Sequence, residues 1–487
     1  MITPIRSEED VNPDLALSYF MQGEFLMSQG NYALAILEFQ EAIALDPNAS
    51  TIHVAIAEGY SRLGKLRRSE THLKIAIDLN PDETEGLDML GQIYFSQKRY
   101  NTAQEVYKRL HIIDPENLDY IFIIADLHRI QKNWDLSIDY YMLAYDINTL
   151  ALKALEQALQ IALSANKLKR AEEICELMHN DTPDDLDILN TYKDLTLYNQ
   201  NYKKSLSLIE KIEKQSGITN ELLLQRSALY EELNQEELAL ETALVAHKND
   251  SLNIDILHRI VSLLMDQNQN EEAIKYNQKI TKNHPNDPRG FINNAVMAMS
   301  SKKPNQAIKA LLPHVDKFYS DFTMQYLLGT AYYQTKDFDN AERYLAEALE
   351  IYPQSRNTKH NLALIYDSMG EWNLSDQLYI ELIESDSTDA QAFNNYAYSL
   401  VERDKDIDFA LELAQYAISL EPKSAAYLDT IGWIYFKLNH YDEALKYIRE
   451  SLAIDSDNST IQGHLNQIIK VKAQNNPSKV QQAKKID

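Results

Sequence analysis

Small residues recur along this chain against a background of apolar and polar positions that itself repeats every 34 residues. Ala or Ser stands at Ala35, Ser69, Ala103, Ser137, Ala171, Ser205, Ala239, Ala273, Ala307, Ala341, Ser375, Ala410 and Ala444, and only the step from Ser375 to Ala410 is longer, by one residue. With that residue as position 20, thirteen units start at 16, 50, 84, 118, 152, 186, 220, 254, 288, 322, 356, 390 and 425. Positions 4, 7 and 11 are apolar at helical spacing, so they share one face of a first helix. Position 8 is small in most units (Gly23, Ala57, Gly91, Ala125, Gly329, Ala363, Gly432) and position 32 is often proline (Pro47, Pro81, Pro115, Pro353). Small residues at 8 and 20 let two helix backbones approach closely, and the proline stops the second helix. The pattern predicts two antiparallel helices per unit, stacked into an all-α solenoid.

These residue types at these positions resemble the tetratricopeptide repeat family, most clearly over Gly23 to Pro47, Gly91 to Pro115 and Gly329 to Pro353. The resemblance implies a right-handed superhelix of about thirteen helix-turn-helix units over residues 16–458, whose first helices line a concave groove. Repeats five to nine depart most: position 8 is Leu159, Lys193 and Val261 in three of them. Local loosening is expected there, or a break between sub-arrays near 186–220. Residues 459–472 read as a solvating helix that covers the last apolar face. The segment 1–15 is expected to be a lead and 473–487 a disordered polar tail.

Charge and composition narrow the function. The net charge of -26 argues against nucleic acid and favours basic partners. The single cysteine, Cys175, excludes an intrachain disulfide and a multi-cysteine zinc site. No apolar run approaches the roughly 20 residues of a membrane span, and the first fifteen residues lack the apolar core of an export signal. A cytoplasmic location is expected, or an envelope location if the true start lies upstream with a signal.

No catalytic site is legible. Gly59 to Lys65 matches most of a phosphate loop, but Leu66 stands where Ser or Thr must follow and the segment falls at a helix end. The histidines show no ligand spacing, so no metal or cofactor is expected. The family resemblance places positions 2, 5, 9, 12 and 13 in the groove. There the first eight repeats carry Glu58, Glu85, Asp88, Asp126, Glu156, Asp187, Asp194, Glu221, Glu231 and Asp255, whereas the last four carry Tyr326, Tyr333, His360, Asn394, Tyr398, Trp433 and Phe436. Asn361 and Asn395, with Asn293, stand at position 6, where the arrays of O-GlcNAc transferase carry asparagine. The carboxylate clamp of chaperone-binding arrays is not found in three consecutive units. The segments around Asn394–Tyr398 and Tyr427–Trp433 look like the end of a group of bacterial envelope-associated repeat proteins.

The expectation is a non-enzymatic scaffold that binds protein or peptide, with Tyr326, Tyr333, His360, Asn361, Asn394, Asn395, Tyr398, Trp433 and Phe436 as the specific site. The acidic stretch would attract a basic segment. The alternative is an envelope assembly or enzyme-recruiting factor acting through a separately encoded partner. The aromatic residues, Trp433 above all, serve equally well as packing between first helices.

Overall fold

A computed structural model describes residues 13–475, and within them the chain forms 27 α-helices and no strand. It divides into two compact units, 1–234 and 235–487. Six helical hairpins and the first helix of a seventh fall in the first unit. The second helix of the seventh, six more hairpins and a last helix fall in the second. Eleven first helices begin at the residue where the 34-residue register starts a repeat; the exceptions begin at Pro13 and Arg289. The last helix, Ser459–Asn475, packs Ile461 and Ile468 on Ala444 and Ile448. Of the expected lead and tail, residues 1–12 and 476–487 lie outside the described residues.

The beat of small residues lies inside the interfaces. All thirteen position-20 residues are fully buried. Where the residue is serine, its hydroxyl can serve the helix opposite: Ser69 Oγ donates to the Ala57 carbonyl and Ser137 Oγ to that of Ala125, both at 2.8 Å. A buried hydroxyl needs such a partner, which is why serine can alternate with alanine here. Lys193, out of character at position 8, is buried but sends its ammonium to Gln225 and Asp194, both at 3.1 Å.

Each first helix ends in the same way. The residue at position 15 has a positive φ in every repeat, from Gly30, Gly64 and Lys98 to Asp404 and Asn439. The next amide then reaches back to the carbonyl five residues earlier, as from Lys65 to Tyr60 and from Arg99 to Tyr94 (2.9 and 2.8 Å). This left-handed C-terminal cap satisfies carbonyls the helix leaves open. The extra residue between Ser375 and Ala410 is absorbed at this turn: repeat twelve has four residues, 403–406, between its helices, and Asp404 and Asp406 are both left-handed.

Candidate functional site

In the second unit, the first helices of repeats ten to thirteen (Phe322–Gln334, Arg356–Met369, Ala390–Glu402 and Ala425–Lys437) carry the aromatic and amide residues. Polar bonds link each helix to the next. Asn361 donates to the Tyr326 hydroxyl at 3.3 Å, and Ser399 donates to Asp367 at 2.8 Å. Trp433 Nε1 donates to Glu402 at 2.7 Å, and Lys437 to Asp404 at 2.8 Å. In the last helix, His464 meets Asp429 at 2.9 Å and stacks on Trp433 with ring centres 4.1 Å apart.

Three of the nine expected site residues are thereby buried. Trp433 is 6% exposed, held between Phe436, His464 and Glu402, and packs neighbouring helices together. His360 is buried against Asp389, 3.0 Å away. Burial pushes the Asp389 carboxyl up, but Arg356, the Ala392 amide and His360 outweigh it and hold the group below the usual carboxylate range. Asn394 is buried, and among the described residues its side chain makes a single long bond, 3.4 Å, to Asn395. The remaining six, Tyr326, Tyr333, Asn361, Asn395, Tyr398 and Phe436, are half-buried. The Tyr398 hydroxyl is pushed up to about 12 by burial, then by Glu402 and Asp429. Three buried atoms on these helices, Gln325 Oε1, His360 Nδ1 and Asn394 Oδ1, meet no partner among the described residues.

The acidic face of the first unit is partly spent within the chain. Asp88 accepts from the Tyr107 hydroxyl at 3.1 Å and Asp126 from that of Tyr141 at 3.0 Å. Glu58 pairs with Arg62 and Asp126 with Arg129. Glu24, which the register reading left out, belongs to this face: burial raises its pKa first, and Glu58 and Glu85 raise it further. In the second unit, Asp255 pairs with Arg289 at 2.7 Å.

The phosphate-loop resemblance ends in a helix, Ser50–Arg62, and a turn at Leu63–Lys65. Among the described residues no group of three or more His, Cys, Asp or Glu could hold a metal ion, and no helix is long and apolar enough to cross a membrane.

Tetratricopeptide repeat family models match residues 16–49, 54–117, 292–356 and 425–458. The first and last segments coincide with repeats one and thirteen of the register. These segments of the chain carry tetratricopeptide repeats. The chain is 27% identical over 137 residues to the type IV pilus assembly protein PilF of Pseudomonas aeruginosa, covering 28% of this chain and 54% of that protein. It is 20% identical over 387 residues to the anaphase-promoting complex subunit CDC16 of Saccharomyces cerevisiae, covering 76% of this chain and 45% of that one. The chain thus spans about half the length of these curated relatives. Among solved structures, the anaphase-promoting complex hetero-tetramer Cut9–Hcn1 aligns over 93% of this chain and 96% of its own, at 14% identity and a TM-score of 0.43.

Proposed function

We propose that this tetratricopeptide repeat protein is a non-enzymatic scaffold that holds an extended segment of a partner protein along the first helices of repeats ten to thirteen. The observation that carries the reading is the half-buried row Tyr326, Asn361, Asn395, Tyr398 and Phe436. Its members stand on successive helices that are already locked together by Trp433–Glu402 and Ser399–Asp367. Rigid aromatic side chains with amide neighbours anchor a peptide at small entropic cost. The Glu24, Glu58 and Glu85 cluster supports a basic stretch in the partner.

The test places a photo-crosslinking residue at Tyr398 or Asn395, with an exposed second-helix position, Gln415, as the control. Crosslinks from 398 and 395 to one peptide of one protein, absent from 415, are expected. Equal labelling from all three positions would overturn the assignment. Trp433 is left intact, because its removal would unpack two helices.

A second reading is an envelope assembly factor, and the similarity to the pilus assembly protein PilF over 137 residues favours it. In that case the crosslinked partner is a membrane-complex subunit and the protein sediments with the envelope. The main proposal places the scaffold in the cytoplasm, and recovery of the native protein from the envelope fraction would overturn that placement.

A further inference from the structure

We propose that a pocket beside the second helix of repeat ten, Phe338–Ile351, receives an arginine side chain from a partner protein. The pocket has its origin in one proline. The second helices of the other repeats run for at least 14 residues, but that of repeat nine stops after eight, Pro304–Leu311, and passes into a short 3-10 turn, Leu312–His314. Pro313 has no amide hydrogen to donate and its ring crowds the preceding turn, so the α-helix cannot continue through it. By register the helix should extend to residue 317. The lost turns leave the C-terminal half of Phe338–Ile351 uncovered, and a cavity of about 450 Å³ opens there. That lies within the roughly 300–1,000 Å³ of pockets that hold small ligands.

Gln325 forms part of the lining and is 1% exposed. Its Nε2 donates to the Tyr319 carbonyl at 2.9 Å, while its Oε1 is shielded from solvent and meets no donor among the described residues. A buried amide oxygen without a donor is costly and rare in a folded protein. The rest of the lining shows which donor fits. Asp316, Glu347 and Glu350 stand against a single base, Arg343. Arg343 already gives its Nε to Glu347 at 3.1 Å and lies over the Tyr344 ring. Asp316 and Glu350 are exposed and make no salt bridge among the described residues, although Asp316 lies near enough to Arg343 to feel its charge. Tyr319, at 73% exposed, is the aromatic face at the rim and the side chain free to swing aside as a ligand enters.

A guanidinium meets all three demands. It adds positive charge beside two carboxylates that make no salt bridge, stacks flat on a tyrosine, and has a fork of donors of which one can reach the amide oxygen. A lysine ammonium is a point charge with no plane to stack, and a neutral side chain leaves the carboxylates unmatched. The pocket shares no residue with the proposed groove, so it stands or falls separately.

The full chain is titrated calorimetrically with doubly blocked arginine, blocked lysine, blocked citrulline and spermidine. Blocked arginine is expected to bind at least about tenfold more tightly than citrulline, the neutral isostere, and to lose about tenfold in the Asp316→Asn/Glu350→Gln variant. Those two changes lie on the surface and should leave the melting temperature in place. Gln325→Leu should abolish the preference for arginine over lysine; if that variant fails to fold, the surface variant decides alone. Absence of arginine binding, or binding unchanged in the surface variant, overturns the proposal. So does tighter binding of spermidine, which would make the ligand a free polyamine.

Discussion

A single methyl group placed at Gly329 tests the packing rule of these repeats. Gly329 sits at position 8 of a first helix, Phe322–Gln334, where helix propensity alone would favour alanine by about 1 kcal/mol. A β-carbon there would lie 2.5 Å from Leu345 Cγ and 3.0 Å from both Leu345 Cδ2 and the Leu345 backbone nitrogen. Leu345 is fully buried, so neither its side chain nor its backbone can yield without moving the second helix. Overpacking of that kind costs about 1–3 kcal/mol. The backbone contact places this site in the upper part of the range, so Gly329→Ala should destabilise by about 1–2 kcal/mol after the propensity gain. Gly463 supplies the opposite sign. It lies within the last helix, and a β-carbon there has nothing within 4 Å, so Gly463→Ala should stabilise by up to about 1 kcal/mol. Gly91 is intermediate, since the three atoms nearest its β-carbon are ring atoms of Tyr107, the nearest at 2.7 Å. A repeat array does not unfold as one two-state body. Urea melts should therefore be paired with amide exchange in peptides from repeat ten and from the last helix. Equal stabilisation by Gly329→Ala and Gly463→Ala would refute the close-approach argument.

The left-handed caps predict a gain from substitution. Lys98 and Lys132 hold φ near 60°, where a side chain costs more than glycine's extra entropy, so Lys98→Gly and Lys132→Gly should each stabilise by about 0.5–1 kcal/mol; a lower urea midpoint would contradict this. Acid should weaken the first unit. His53, His72, His128 and His179 are held below the ordinary histidine value, chiefly by burial. The unfolded chain then binds protons below about pH 6.5 that the folded chain refuses. Their contribution is intact above that pH and is lost as pH falls through it toward the folded values. The urea midpoint should drop between pH 7 and 5.5, and less so in His53→Gln/His72→Gln; an identical drop would exclude this pair as a source. Cys175 is fully buried and its thiol is pushed up to about 12 by burial, then by Glu172. Ellman's reagent should label it only as the protein unfolds, and prompt labelling of native protein would show that the repeat-five interface opens.

The helix boundaries were legible because position 20 tolerates only a side chain small enough to vanish into the interface, and that constraint repeats in register. The cap at position 15 was harder to see, since Gly, Lys, Asn, Gln and Asp all occupy it and the shared property is a backbone angle. Trp433 shows the limit for the site. Its place on the groove side follows from the register. Its burial depends on Glu402, 31 residues earlier, and on His464 in the last helix, neither of which sits at a fixed offset in other repeats. Asn277 is fully buried at position 24, where the other repeats carry an apolar residue, cysteine or tyrosine. It is satisfied by Gly290, Asn293 and Asn294, a cluster no apolar template predicts. Pro313, by contrast, was a readable signal, because a proline at position 26 of a repeat falls inside the second helix and must end it.

In an array whose interfaces repeat, polar side chains on the stacking faces are consumed by the neighbouring repeat at offsets of 31 to 35 residues, as in Asn361–Tyr326, Trp433–Glu402 and His464–Asp429. Such bonds fix one helix against the next and leave few groups for another molecule. Binding chemistry must then arise where the period fails to satisfy what it buries. In the second unit the failures include Asn394 Oδ1 and His360 Nδ1 beside the half-buried aromatic row, Arg403 Nε and Nη1 at the turn of repeat twelve, His247 Nδ1, and Gln325 Oε1 where Pro313 shortens a helix. The first pair is framed by amides and aromatics and suits a peptide backbone. Gln325 is framed by Asp316 and Glu350 and suits a cation. One partner segment with an extended stretch and a separate arginine could engage both. Coupling between them would then appear as a loss greater than additive when the Asn395/Tyr398 and Asp316/Glu350 substitutions are combined, because linked contacts act as intramolecular ones.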